Sequence, residues 1–230
     1  MVNAAETAAA GVEARAAERR LILSYAPVDG RARLAALLDL DATLAEVMRQ
    51  MREPMIAQMR LTWWHDAVAR LDTAPPPAQP VLVALAAALP DSGVAGREVA
   101  LLVEGWEALL EGDPREAEVR AAFATGRGAR LFALAARGAS VDGVEDAGRG
   151  WALADLSRSL TDAGAALAAR EEAAALLAPP LSRRWPRRLR ALGALAHQAA
   201  MDLRADPAAP LPAATPGRIA RLGWHRLTGR

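Results

Sequence analysis

Between Pro54 and Pro75 the chain contains no other proline and no glycine, and this uninterrupted stretch constrains the fold more than any other. A proline has a fixed φ and no backbone N–H, which suits Pro54 to the first turn of a helix. The following residues are spaced for a helix running to Leu71. Leu61, Trp64, Val68 and Leu71 recur at i, i+3, i+7 and i+10 as one apolar stripe, and Met55, Met59 and Thr62 form a second row beside it. Two apolar rows call for two covered faces. The helix is therefore expected to be central, with Met55, Met59, Trp63 and Trp64 mostly buried. Met and Trp at such positions either fill an irregular core or line an apolar cavity.

Proline and glycine divide the rest of the chain in the same way. Ala4 to Tyr25 reads as a first helix, stopped by Pro27 and an Asp29-Gly30 turn. Arg31 to Met51 is a second, with Leu34, Leu37, Leu38, Leu44, Val47, Met48 and Met51 on one face and Asp39, Glu46 and Gln50 on another. Thr73 to Pro80 is a loop, Pro80 to Leu89 a short apolar helix, and Gly96 to Leu110 a helix with Val99, Leu102, Val103, Trp106 and Leu110 in line. Arg115 to Ala136 is a helix interrupted near Gly126 and Gly128. Val144 to Ala178 is a long helical region with Gly148, Gly150 and Gly164 as kink sites, ended by Pro179-Pro180. Arg187 to Arg204 is a further helix, followed by a Pro-rich loop from Asp206 to Pro216 and a basic amphipathic segment to Arg230. No alternating strand pattern and no fixed-period repeat occurs, so the fold class is all-α. At 230 residues a single domain over 1–230 is expected, with 179–230 as a basic C-terminal segment.

Composition excludes several chemistries. There is no cysteine, hence no disulfide framework, thiolate zinc site or cysteine nucleophile. Lysine is absent, so all 28 basic residues are arginine. Met1 to Arg20 lacks the basic-then-apolar order of a signal peptide, and the longest apolar run, Val81 to Leu89, is far short of the ~20 residues that span a bilayer. A cytoplasmic protein is expected, one able to sit peripherally at the inner membrane. The formal net charge of +1 hides an asymmetry: from Pro179 onward ten arginines face only Asp202 and Asp206. That imbalance suits either an anionic partner surface or an internal match with the acidic remainder.

No Gly-rich phosphate loop, His-Glu-x-x-His or Gly-x-Ser-x-Gly occurs. His65, His197 and His225 are scattered, and His65 beside Asp66 is the one candidate ligand, read against an ordinary hydrogen-bonded role. The basic run from Leu181 to Arg190, with Arg183, Arg184, Arg187 and Arg188, reads as a grip for phosphates or anionic headgroups, or as a solvated loop. Only one aromatic is interleaved, so nucleic acid is not an expected partner. Ile219, Leu222 and Leu227 with Arg218, Arg221 and Arg226 form a basic amphipathic tail, either docked on the protein or anchoring it to a membrane.

Ser24-Tyr25-Ala26-Pro27, the run from Arg31 to Asp41, Glu46, Glu53-Pro54 and Arg60-Leu61-Thr62-Trp63-Trp64-His65-Asp66 together resemble the N-terminal half of squalene/phytoene synthases. The segment Asp155 to Gly164 resembles that family's second signature. The resemblance implies a helical bundle of the isoprenoid synthase type around a central apolar cavity. In active members it implies two Asp-rich helices that hold Mg²⁺ ions and prenyl diphosphates. Mg²⁺ takes several oxygen ligands, which acids at i and i+4 of one helical face can share. The first family motif, Asp-Asp-x-x-Asp, falls on Ala45-Glu46-Val47-Met48-Arg49, where only Glu46 is acidic. In the second, Asp162 is kept, Thr161 replaces an arginine, and Ala165-Ala166 replace an acidic pair. Asp39 and Asp155 lie two turns from Glu46 and Asp162, about 10 Å along the axis, too far to stand in. The alternative reading of Glu46 and Asp162 is as polar-face residues paired with Arg49 and Arg158 at helical spacing.

Two lone carboxylates make a poor Mg²⁺ cradle. The expectation is a catalytically inactive member with no cofactor, similar to a branch that includes a mitochondrial assembly factor for respiratory complex I and its bacterial relatives. Its partner would be a protein or an anionic surface at the inner membrane. The alternatives are a prenyltransferase using Mg²⁺ and a protein that binds an isoprenoid without chemistry.

Overall fold

The computed structural model describes residues 4–50, 53–137, 139, 141–207 and 209–230, and among them every regular element is helical. The helices are α1 (Ala4–Leu23), α2 (Val28–Gln50), α3 (Pro54–Ala69), α4 (Pro80–Ala88), α5 (Gly96–Glu111), α6 (Ala117–Phe123), α7 (Arg130–Ala135), α8 (Val144–Ser159), α9 (Ala163–Ser182), α10 (Arg190–Arg204) and α11 (Pro216–Thr228). A π-helical turn, Ala124–Ala129, joins α6 to α7 without breaking the axis. Met51 and Arg52 lie outside the described residues.

Helix α2 starts at Val28, three residues before the expected point. Asp29 and Gly30 form its first turn rather than a separate one, and Asp29 places negative charge at the positive end of the helix dipole. The expected long helix from Val144 breaks at Leu160–Asp162 instead of kinking at glycines. There the Asp162 carboxylate accepts the Ala165 N–H at 2.7 Å and starts α9. Pro179 and Pro180 do not end α9, which continues to Ser182. The donors they lack fall in its last turn, and the Pro180 carbonyl accepts the Trp185 indole N–H at 3.0 Å.

The central elements are α5, α8 and α10 rather than α3. Helix α8 packs against α9, the π turn, α7 and α10, and α10 is buried along most of its length from Arg190 to Ala199. Helix α3 lies on the outside against α5, burying Ala57, Leu61, Trp64, Ala67 and Val68. Its second row, Met55, Met59 and Thr62, faces solvent together with Trp63: Met55 is 77%, Met59 69% and Trp63 46% exposed. This corrects the expectation that these three are buried and line a cavity. Periodicity marked the faces, and α5 covers only the one carrying Leu61 and Trp64.

Ion pairs brace the periphery. Arg218 of α11, expected on a basic face, is buried between Glu18 of α1 at 2.8 Å and Asp202 of α10 at 2.7 Å. Arg120 joins α6 to Glu172 of α9. Asp72 caps α5 from outside, accepting the Gly96 N–H at 2.6 Å and the Arg97 N–H at 3.2 Å.

Between α10 and α11, His197 and His225 meet edge to face with ring centroids 4.7 Å apart, and both are buried. An Arg221 N–H points at the His197 ring, and His225 Nε2 donates to the Arg190 carbonyl at 3.0 Å. Burial first, then Arg221 and the neighbouring ring, lowers His197 to about 3; burial likewise lowers His225 to about 4. Above the ordinary histidine value of about 6.5 both rings are neutral whether the chain is folded or not. Below it the unfolded chain takes up protons that the folded one resists, so stability falls by about 1.4 kcal/mol per pH unit per ring. Urea unfolding at pH 5.5 is therefore expected to show roughly 2–3 kcal/mol less stability than at pH 7.5, with about half the loss removed in His197→Gln. A flat profile over that range would contradict a neutral buried pair.

Candidate functional site

The feature that stands out inside the bundle is Gly126-Arg127-Gly128 at the π turn. With no Cβ, Gly126 lets the turn's backbone touch α5 at Gly105, where an added Cβ would lie 2.5 Å from the Gly105 Cα. Gly128 does the same against α8, where a Cβ would sit 2.1 Å from the Gly148 carbonyl oxygen. The turn is thus clamped between two helices at backbone contact. Trp106 follows Gly105, and Trp151 lies one turn beyond Gly148. Each therefore stands beside Arg127, whose guanidinium carbon is 4.4 Å from the Trp106 ring centre, 4.7 Å from that of Trp151 and 5.4 Å from that of Phe123.

The guanidinium is held in plane by carboxylates from two other helices. Arg127 Nε and Nη2 donate to the two oxygens of Asp41 on α2 at 2.7 and 2.8 Å, a bidentate fork, and Nη1 donates to Asp155 on α8 at 2.7 Å. Arg127 and Asp41 are 3% and 6% exposed, whereas the Asp155 side chain is largely open to solvent. Burial disfavours the cation, but the two carboxylates outweigh it and hold the guanidinium above its ordinary value. The chain's own cation bridges α2 and α8, and its aromatic walls keep water away.

Glu46 and Asp162, the acids matched to the family motifs, take no part in this cluster. Glu46 is half-buried on α2 and pairs with Arg49 at 2.5 Å, as helical spacing suggests. Asp162 is the N-cap of α9, and Arg158 does not pair with it. Arg158 reaches instead to the carbonyls of Asp206 and Ala209 in the Pro-rich loop, at 3.2 and 2.7 Å. His65 meets Asp66 at a long 3.5 Å. Arg184, Arg187 and Arg188 are exposed, and Arg183 lies 3.7 Å from the Asp142 carboxylate.

A Mg²⁺-diphosphate site does not fit these residues. Mg²⁺ needs a near-octahedral set of oxygens at about 2.0–2.1 Å. Both Asp41 oxygens are engaged by Arg127, whose guanidinium fills the space between the two carboxylates. Among the described residues no three His, Asp or Glu side chains converge on one point.

Asp41 carried a sequence signal that its neighbours share. It lies four residues after Leu37 and three before Leu44, on the apolar face of α2, where a lone acid needs a buried partner. Nothing in the sequence names Arg127 as that partner, 86 positions away.

Among the described residues no helix is long and apolar enough to cross a membrane. No curated protein and no solved structure matches the chain. The squalene/phytoene synthase family model matches residues 12–121, from α1 into α6 of this all-α fold.

Proposed function

We propose that this protein is a non-catalytic member of that family, acting without a metal cofactor as a binding or assembly factor near the inner membrane, in the manner of the complex I assembly branch. The observation that carries the reading is the position of Arg127 between Asp41 and Asp155. Ionising an allylic diphosphate requires cations that stabilise the departing pyrophosphate, and they must be held by free carboxylates. Here the best-placed carboxylates are committed to a guanidinium, Glu46 is paired on the surface, and Asp162 is spent on a helix cap. A binding role is also favoured by the exposed apolar face of α3, formed by Met55, Ile56, Met59 and Trp63, since such patches mark contact sites.

The test is incubation with farnesyl or geranylgeranyl diphosphate, Mg²⁺ and a reductant, followed by extraction. No C30 or C40 hydrocarbon above background is expected. Product lost in Glu46→Ala or Asp162→Ala would establish the prenyltransferase alternative. Saturable binding of a prenyl diphosphate without turnover would point to an isoprenoid-binding protein instead.

A further inference from the structure

The core-facing side of α11 carries Arg218, Leu222 and His225, and its opposite side is left uncovered. At about 100° per residue, Ile219, Gly223, Trp224 and Leu227 fall within one arc of roughly 140° on that outer side. Ile219 is 37%, Trp224 59% and Leu227 75% exposed. A Cβ added at Gly217 or Gly223 would meet nothing, so the face is open along its length.

Arginines rim this face, and the fold fixes them there. The connection from α9 to α10 is stitched to the end of α11: the Trp185 N–H donates to the Gly229 carbonyl at 2.7 Å, and Arg184 Nε donates to the Thr228 carbonyl at 3.0 Å. Arg184, Arg187, Arg188 and Arg226 are exposed, and among the described residues none of them pairs with a carboxylate. Arg190 ties the start of α10 to α11 by donating to the Arg226 and Leu227 carbonyls, and burial, then the like charges of Arg187, Arg226 and Arg184, pushes it below its ordinary value. The nearby acids Glu18 and Asp202 are consumed by Arg218 inside the protein.

We propose that α11 and the α9–α10 connection form a surface that docks onto an anionic lipid bilayer, with Trp224 and Leu227 entering the headgroup region and Arg184, Arg187, Arg188 and Arg226 contacting lipid phosphates. Charge selects the occupant. A second copy of the chain would bring the same arginines against themselves, whereas an anionic bilayer neutralises them while covering the apolar face. Tryptophan suits the position, with an apolar ring and a polar edge at a wet boundary. This names the membrane contact of the preceding reading and rests on it for location only. The hydrocarbon assay tests chemistry and the following assay tests docking, so the two fail separately.

The experiment is flotation of the full chain with vesicles of neutral phosphatidylcholine, and of phosphatidylcholine with about a third phosphatidylglycerol. Binding is expected only with the anionic lipid, falling at least tenfold between 0.1 and 0.5 M salt. Arg184→Gln/Arg187→Gln/Arg188→Gln is expected to weaken it by about a hundredfold, and Trp224→Ala/Leu227→Ala at least tenfold. All five side chains are exposed, but Arg184 also donates to the Thr228 carbonyl, so circular dichroism melts first establish that both variants are folded at the temperature of the binding assay. The proposal is overturned by equal binding to neutral vesicles, by no binding, or by binding that neither variant weakens. It is also overturned if Leu227→Ala instead abolishes a concentration-dependent dimer, or if the face captures RNA and not anionic vesicles.

Discussion

Arg127→Met is expected to lower the free energy of unfolding by about 3–5 kcal/mol, enough to threaten folding of a domain whose whole stability is of the order of 5–15 kcal/mol. The loss is dominated by what remains. Asp41 is left 6% exposed with neither oxygen partnered, and a buried unpaired carboxylate either stays charged at great cost or takes up a proton. The stacking on Trp106 and Trp151 is lost as well. Because removing both members of a buried pair is much cheaper than removing one, Arg127→Met/Asp41→Leu should recover most of the stability. Urea unfolding of parent, single and double variants measures this directly. A single variant within 1 kcal/mol of the parent, or a double no better than the single, would show that the fork contributes little.

Gly128→Ala is expected to be comparably damaging, by about 3 kcal/mol or more, at the upper end of what overpacking usually costs. The new methyl group would lie 2.1 Å from the Gly148 carbonyl oxygen and 2.8 Å from the Ala152 Cβ. No flexible side-chain tip is there to give way, so α8 and the π turn must separate. That separation draws Arg127 away from Asp155 and Trp151. Gly223→Ala provides the contrast: its Cβ meets open space within α11, where replacing a helical glycine by alanine stabilises by roughly 0.5–1 kcal/mol. Equal melting shifts for the two variants would contradict backbone contact at Gly128.

Helix identity was legible in the sequence because proline and glycine punctuate it and apolar spacing fills the intervals. The Pro54 and Pro80 starts and the Gly96 to Glu111 helix fall where those signals place them. What spacing could not convey is which faces find a neighbour. Met55, Met59 and Trp63 keep helical register, yet α5 reaches only the other side of α3. Gly148 and Gly150 read as kinks because glycine weakens an isolated helix. In the fold they are contact points, with Gly150 under Leu177 of α9 and Gly148 under Gly128. The central cluster was least legible, since its specificity lies in single residues on α2, the π turn and α8 that have no local relationship. The motif comparison pointed to Glu46 and Asp162, the acids that kept family positions. The carboxylates that converge are Asp41 and Asp155, one of them hidden within an apolar stripe.

The π turn has a further consequence for comparing this chain with others. A π turn holds one residue more than the α-helical path it replaces, so it acts as an insertion absorbed within a helix instead of in a loop. Each inserted residue rotates everything downstream by about 100°. The inward set Leu131, Phe132 and Leu134 is therefore phased by the turn at Ala124–Ala129, not by continuation of the Arg120 and Phe123 spacing. A gapless alignment to a sequence lacking that turn would match every position after Ala129 to a neighbour one place out of phase, setting core residues against surface ones. Comparison across this region needs a single-residue gap opposite Gly126-Arg127-Gly128, and a relative that shows the gap lacks the extra residue that the π turn accommodates here.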